Sequence, residues 1–172
     1  MSIFKASLFI MLTVSVCGCD KEKLTKETES GEHTFSCKIN GSIFKPETPG
    51  GLFSVEALSG RVSSNGSNGY YANIYALNTM SMPERAISLT IDNFVGIGTY
   101  ELNSQTSFAD FQQWYPSRFH STRYGNAGYV IITKYDITNK ILAGTFHFIA
   151  ASQSDQSDLV SVTDGRFDIK LN

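Results

Sequence analysis

From residue 33 onward the chain alternates apolar and polar residues with a period of two, in runs separated by turn dipeptides. Phe35, Cys37 and Ile39 alternate with polar neighbours up to Asn40-Gly41. Both residues of that pair tolerate φ > 0, so it predicts a tight hairpin into Ser42–Lys45. Val55–Val62 reads as a weaker strand with Val55, Ala57 and Val62 inward, and Ser63–Gly69, with two Asn-Gly steps, as a loop tip. Tyr70–Asn78 and Ala86–Asn93 are predicted strands, the second with Ile87, Leu89 and Ile91 on one face. A short strand over Thr99–Leu102 follows Gly96-Ile97-Gly98. Gly128–Tyr135 leads through a turn at Asp136–Lys140 into Ile141–Ala150, where Leu142, Phe146, Phe148 and Ala150 share a face. Beyond the polar loop Ser152–Asp158, Leu159–Thr163 and Arg166–Leu171 flank Asp164-Gly165, a second hairpin signal. Only Ser104–Gln113 suggests a helix, a short one. The pattern predicts a single all-β domain over residues 33–172, an antiparallel sandwich or barrel-like sheet pair.

The first residues follow another pattern. Lys5 precedes an apolar run, Ala6–Val16, broken only by Ser7, Thr13 and Ser15. A helix of that length spans about half of a ~30 Å hydrocarbon core, too short to anchor a chain by crossing it. A charged start, a short apolar run and small residues at its end read as an export signal over residues 1–18. The alternative, a buried N-terminal helix, would have to leave the core at once into the polar run that follows. Val16-Cys17-Gly18-Cys19 resembles a bacterial lipoprotein box, in which the last cysteine is cleaved free and lipidated. The resemblance implies acyl chains on Cys19, several of which hold a protein stably where one would not. It makes the expected address the bacterial envelope, anchored in the outer membrane, with the periplasmic or surface face left open. Plain secretion by an ordinary peptidase is the alternative.

Asp20–Glu32 carries eight charged residues in thirteen with Leu24 as its one large apolar residue, and reads as a flexible tether behind Cys19. Its start, Asp20-Lys21-Glu22-Lys23, resembles the charged surface-export signals of Bacteroidetes-type lipoproteins. Charge elsewhere is sparse. The whole chain holds 14 Lys+Arg against 16 Asp+Glu, a net charge of −2, without the basic excess of a nucleic-acid binder. Three cysteines exclude a disulfide scaffold, and Cys37, the one left after signal removal and lipidation, sits at an inward strand position.

Three stretches carry a second resemblance: Asn40-Gly41-Ser42-Ile43-Phe44, Gly144-Thr-Phe-His-Phe-Ile-Ala and Val162-Thr-Asp-Gly-Arg-Phe. Together with Gly128–Asp136 they resemble an early hairpin and an ending that recur in small uncharacterised lipoproteins of Bacteroidetes. The resemblance implies a fold and a compartment and transfers no catalytic residue.

Motifs for chemistry are scarce. His33, His120 and His147 lack zinc-hydrolase spacing, and His147 is expected to decorate a sheet face opposite Phe146 and Phe148. Ser42-Ile43-Phe44-Lys45 has the Ser-x-x-Lys spacing but follows a hairpin turn and lacks the partner motifs, so it reads as coincidence. Asp155, Gln156 and Asp158 offer hard oxygen donors in a spacing that matches no calcium loop. No metal or cofactor is expected. The candidate binding residues are Trp114, Tyr115, Arg118, Phe119, His120, Arg123 and Tyr124, in an irregular segment between strands. Their rings and guanidinium groups could stack on a sugar or anchor a protein, or simply cover an open end of the sheets. The leading expectation is a lipid-anchored, non-catalytic module that binds an envelope protein or a glycan. An envelope hydrolase using carboxylates gathered by the fold is the alternative.

Overall fold

The computed structural model describes residues 23–51, 54–66, 69–103, 105–125 and 127–172. The expected signal segment and Cys19 lie outside the described residues. Eleven strands are described: β1 (Thr34–Ile39), β2 (Ser42–Phe44), β3 (Leu58–Ser64), β4 (Tyr70–Asn78), β5 (Arg85–Ile91), β6 (Gly98–Glu101), β7 (Phe108–Gln113), β8 (Arg118–Ser121), β9 (Gly128–Asp136), β10 (Ile141–Ser152) and β11 (Leu159–Lys170). A 3-10 turn at Thr122–Tyr124 follows β8.

The strands form one antiparallel sheet in the order β2-β1-β11-β10-β8-β7-β5-β4-β3, with β9 also on β10 and β6 outside β9. Two separate sheets were expected; the strand that joins them is β10. Its Ile141–Phe148 part pairs with β9, and Ala151 and Ser152 pair with β8. One strand thus serves both wings, and the sheet curls strongly into a half-barrel instead of splitting. The curl brings β3 back beside the end of β11, where Asn172 N donates to Gly60 O at 3.1 Å. The His33 ring lies across the same seam, its Nε2 3.0 Å from Leu58 O. Inside the curl Phe35, Ile74, Leu89, Leu142, Phe148 and Ile169 are fully buried. Each contributes roughly 1.5–3 kcal/mol by leaving water.

Asn40-Gly41 forms the expected turn, with φ of 47° and 83°. Asp164-Gly165 does not form a hairpin. Asp164 does take φ 52°, yet β11 runs on through it as a bulge. Between Phe146↔Gly165 and Phe148↔Val162, β11 uses one more residue than β10. The same bulge lies against β1 on the other side, where Lys38 Nζ reaches Asp164 Oδ2 at 2.8 Å. The motif glycines now have a physical reason. Gly165 lies opposite Phe146, whose ring would stand 2.6 Å from any Cβ there. Gly144 lies opposite Phe167, whose Cζ would stand 2.9 Å from a Cβ. Gly165 makes room for the Phe146 ring, while at Gly144 the backbone oxygen of Ile131 on β9 would stand closer still to a Cβ than Phe167 does.

Other expectations shift. The helix expected at Ser104–Gln113 is strand β7, because β5 and β8 pair with it on both sides and Ala109 and Phe111 face inward. The segment after Trp114 contains β8 and the 3-10 turn where irregular chain was expected. Strand β3 begins at Leu58, and Val55, expected inward, is 64% exposed. Residues 25–32, read as part of a tether, lie along the outer face of β11. Buried Asp168 accepts from Thr28 Oγ1 at 2.7 Å, Ser30 N at 3.0 Å, Gly31 N at 2.7 Å and Glu32 N at 3.2 Å. Arg166 adds a hydrogen bond to Thr25 O at 3.3 Å and an ion pair to Glu27 at 3.4 Å.

Candidate functional site

The largest described cavity opens at the end of the half-barrel where β4 begins and β5 and β9 end. Its shape starts with a local conformation. Asn93, just past β5, takes φ 52°, a left-handed turn that Asn tolerates well. The turn sends Phe94 inward, 2% exposed, and leaves Val95 outward, 87% exposed. Phe94 N donates to Tyr70 O at 2.8 Å, and the Phe94 ring packs on Tyr100 at 5.7 Å and edge-on to Tyr135 at 5.0 Å. The Tyr100 hydroxyl donates to Gly96 O at 2.8 Å and accepts from Val95 N at 3.2 Å. These bonds hold the loop against the barrel.

Val62, Gly69, Tyr70, Asn93, Phe94, Val95, Tyr135 and Ile137 line a cleft of about 640 Å³. The other described grooves run from about 260 to about 430 Å³. A concave, mainly apolar site of this size with a few polar groups is what ligand pockets commonly offer. Here the polar groups are two phenols and the Asn93 side chain. Burial, and then the neighbouring Tyr70, push the Tyr135 hydroxyl up, so it stays a neutral donor. The arrangement can desolvate an apolar group and orient it with hydrogen bonds.

The seven residues singled out by sequence are split among different surroundings. Arg118 and His120 meet on Asp158: the guanidinium lies 3.1 Å from both carboxylate oxygens, and His120 Nε2 lies 3.2 Å from Oδ2. His120 is 1% exposed and neither ring nitrogen has a well-formed hydrogen bond. Arg123 stacks 4.0 Å over the Phe108 ring and reaches Asp110 Oδ1 at 3.3 Å. Burial pushes the Asp110 carboxyl above its usual value, against the opposing pull of Ser121 and Arg123. Tyr115 and Phe119 are exposed, and Trp114 and Tyr124 are half-buried. The Asp155 carboxylate is turned onto Ser157 N at 2.9 Å and its hydroxyl at 2.6 Å. No cluster of three metal-ligating side chains occurs among the described residues. Cys37 is wholly buried, and burial pushes its thiol far above the ordinary range despite Arg85 nearby. His147 lies on the outer face, edge-on to Tyr129 at 4.0 Å. The sequence signal for the cleft was the pair of apolar residues placed inside turns, Val95 and Ile137, which periodicity does not weigh.

A family model described as a domain of unknown function, DUF6252, matches residues 40–168. The chain belongs to the DUF6252 family. Comparison with curated proteins found no match, and comparison with solved structures found none. Within this DUF6252 chain the matched span runs from the Asn40-Gly41 turn to Asp168 and contains every residue lining the cleft. It also contains the Gly144/Phe167 and Phe146/Gly165 pairs.

Proposed function

We propose that this DUF6252 chain is a lipid-anchored protein of the bacterial outer membrane, held through Cys19, and that its β domain is a non-catalytic binding module. The short apolar leader and the Val16–Cys19 box support the anchor. The apolar cleft takes an apolar segment of an envelope protein. One observation carries this reading: a cleft of about 640 Å³ is rimmed by side chains left in water, Val95 at 87%, Ile137 at 73% and Tyr70 at 55% exposed. Burying such aliphatic side chains against a partner would contribute roughly 1.5–3 kcal/mol each. A glycan, the other ligand class, would stack on Tyr70 and leave the aliphatic rim in water. Two measurements test the proposal. Palmitate incorporation should vanish in Cys19→Ala, and retained label contradicts the anchor. A fluorescent apolar probe should bind the wild type saturably and lose affinity in Val95→Ser/Ile137→Ser; equal binding by both contradicts the cleft.

The second reading, an envelope hydrolase, draws on His120 and Asp158, 3.2 Å apart. Hydrolysis of envelope material that is lost in His120→Gln, with folding intact, would favour it over a binding module.

A further inference from the structure

The end of the half-barrel opposite the cleft holds an arginine without a partner. Arg85 opens β5 on the same face as Ile87, Leu89 and Ile91, which are fully buried. Its Nε is buried and has no hydrogen bond. Among the described residues, Arg61, Arg118, Arg123 and Arg166 each have a hydrogen bond to a side chain or to the backbone, and Arg85 has neither a hydrogen bond nor an ion pair. A buried donor left unpaired costs about 1–3 kcal/mol, so in a native fold it calls for an acceptor.

The surroundings fit one. Arg85 and Lys45 line a cavity of about 260 Å³ together with Ser81, Ile43, Phe44 and Met80. Asn78 also lines it and is held in place: Nδ2 donates to Lys45 O at 2.7 Å, and Oδ1 accepts from Met80 N and Ser81 N at 3.0 and 2.8 Å. These bonds fix the chain bearing Lys45 against the end of β4. Glu47 also borders the cavity, but it is exposed and in no ion pair with either cation. Arg85 and Lys45 both border a space that can hold a small anionic group, and Ile43, Phe44 and Met80 border the same space.

We propose that Arg85 and Lys45 form a binding site for an oxyanion, the carboxylate or phosphate group of a small ligand whose apolar part rests on Ile43, Phe44 and Met80. The guanidinium presents a planar fork of donors that suits both groups, and the Lys45 ammonium adds a point charge. The site lies across the length of β4 from the apolar cleft, roughly 26 Å at about 3.3 Å per residue, so it is a separate site.

The test is a titration of the purified full-length chain with inorganic phosphate and, separately, with butyrate, following the Arg85 Nε–H resonance. Chloride at equal ionic strength is the control. A saturable shift with either probe is expected, and the effective probe tells phosphate from carboxylate. Affinity should fall roughly tenfold or more in Lys45→Gln, the loss of one charge-assisted bond. In Arg85→Met, which keeps the length of the stem, binding followed at neighbouring backbone amides should be absent. Lys45 stands at the rim, so its variant reads binding even if Arg85→Met fails to fold. No saturable shift with either probe overturns the proposal, and so does undiminished affinity in Lys45→Gln.

Discussion

Strands β4 and β5 run from Tyr70 and Ile91 at the apolar cleft to Asn78 and Arg85 at the other end, so the same backbone frames two unlike surfaces. At the cleft the unsatisfied material is apolar: Val95 and Ile137 stand in water although nothing in the fold requires them there. At the far end it is polar: the buried Arg85 Nε has no acceptor. Apolar exposure is paid back by any partner that excludes water, whereas an orphan N–H is satisfied only by an acceptor in the right place. On the proposed reading the cleft would select by surface and shape, and the Arg85 end by charge and geometry.

The comparison breaks most completely where both ends share support. Phe146→Ala should remove about 3–5 kcal/mol, since Phe146 is buried against Phe35, Phe148 and Phe167. Chemical denaturation should show it, and both ends should lose ligand together. Gly165→Ala should cost about 1–3 kcal/mol, because the added Cβ would meet the Phe146 ring.

A middle-sized effect concerns the segment over β11. Burial raises the Asp168 carboxyl, but bonds from Thr28, Glu32, Gly31 and Ser30 outweigh it and hold the group below its usual value. A depressed folded-state value stabilises fully above the unfolded carboxylate range, near ~3.9, and that stabilisation is lost as pH falls through the lower folded value. Acid should therefore release residues 25–32, read as loss of hydrogen-exchange protection at the Ser30, Gly31 and Glu32 amides that now donate to Asp168. Asp168→Asn should expose Lys26 to trypsin at neutral pH, with a loss of about 1.5–3 kcal/mol. Both ends of the barrel should keep their ligands, since neither touches Asp168.

The smallest stability effects should come from the two ends themselves, and these sharpen the contrast. Arg85→Met should leave stability unchanged or raise it by about 1 kcal/mol, because an unpaired buried donor disappears. Val95→Ser and Ile137→Ser should stay within about 0.5 kcal/mol of wild type, as exposed positions do. Each should abolish recognition at its own end and spare the other.

How far the sequence speaks is clear from two dipeptides. Asn40-Gly41 and Asp164-Gly165 announce φ > 0 in the same way; Asn40 and Gly41 both have it, whereas in the second pair only Asp164 does. The first became the hairpin expected. The second became a bulge, because β1 and β10 flank β11 on both sides and keep it running. Long-range pairing decided, and no local signal carries it. The same reason turned Ser104–Gln113 from an expected helix into β7. Alternation was sufficient for Ile87, Leu89 and Ile91, whose inward face was legible. The cleft was not legible, because its residues come from β3, β4, the loop after β5 and the end of β9, which only the curl brings together. Trp114–Tyr124 attracted attention by residue type, yet its members divide between Asp158, Phe108 and solvent.

The central claim, that the apolar cleft is the binding face, is tested most directly by cross-linking in intact cells. A photoreactive residue would be placed at position 137 on the rim and, separately, at position 159 on the outer wall, where Leu159 is 46% exposed. The expected result is one discrete cross-linked protein from position 137 and none from position 159. Products of equal yield from both positions, or none from position 137, would contradict it.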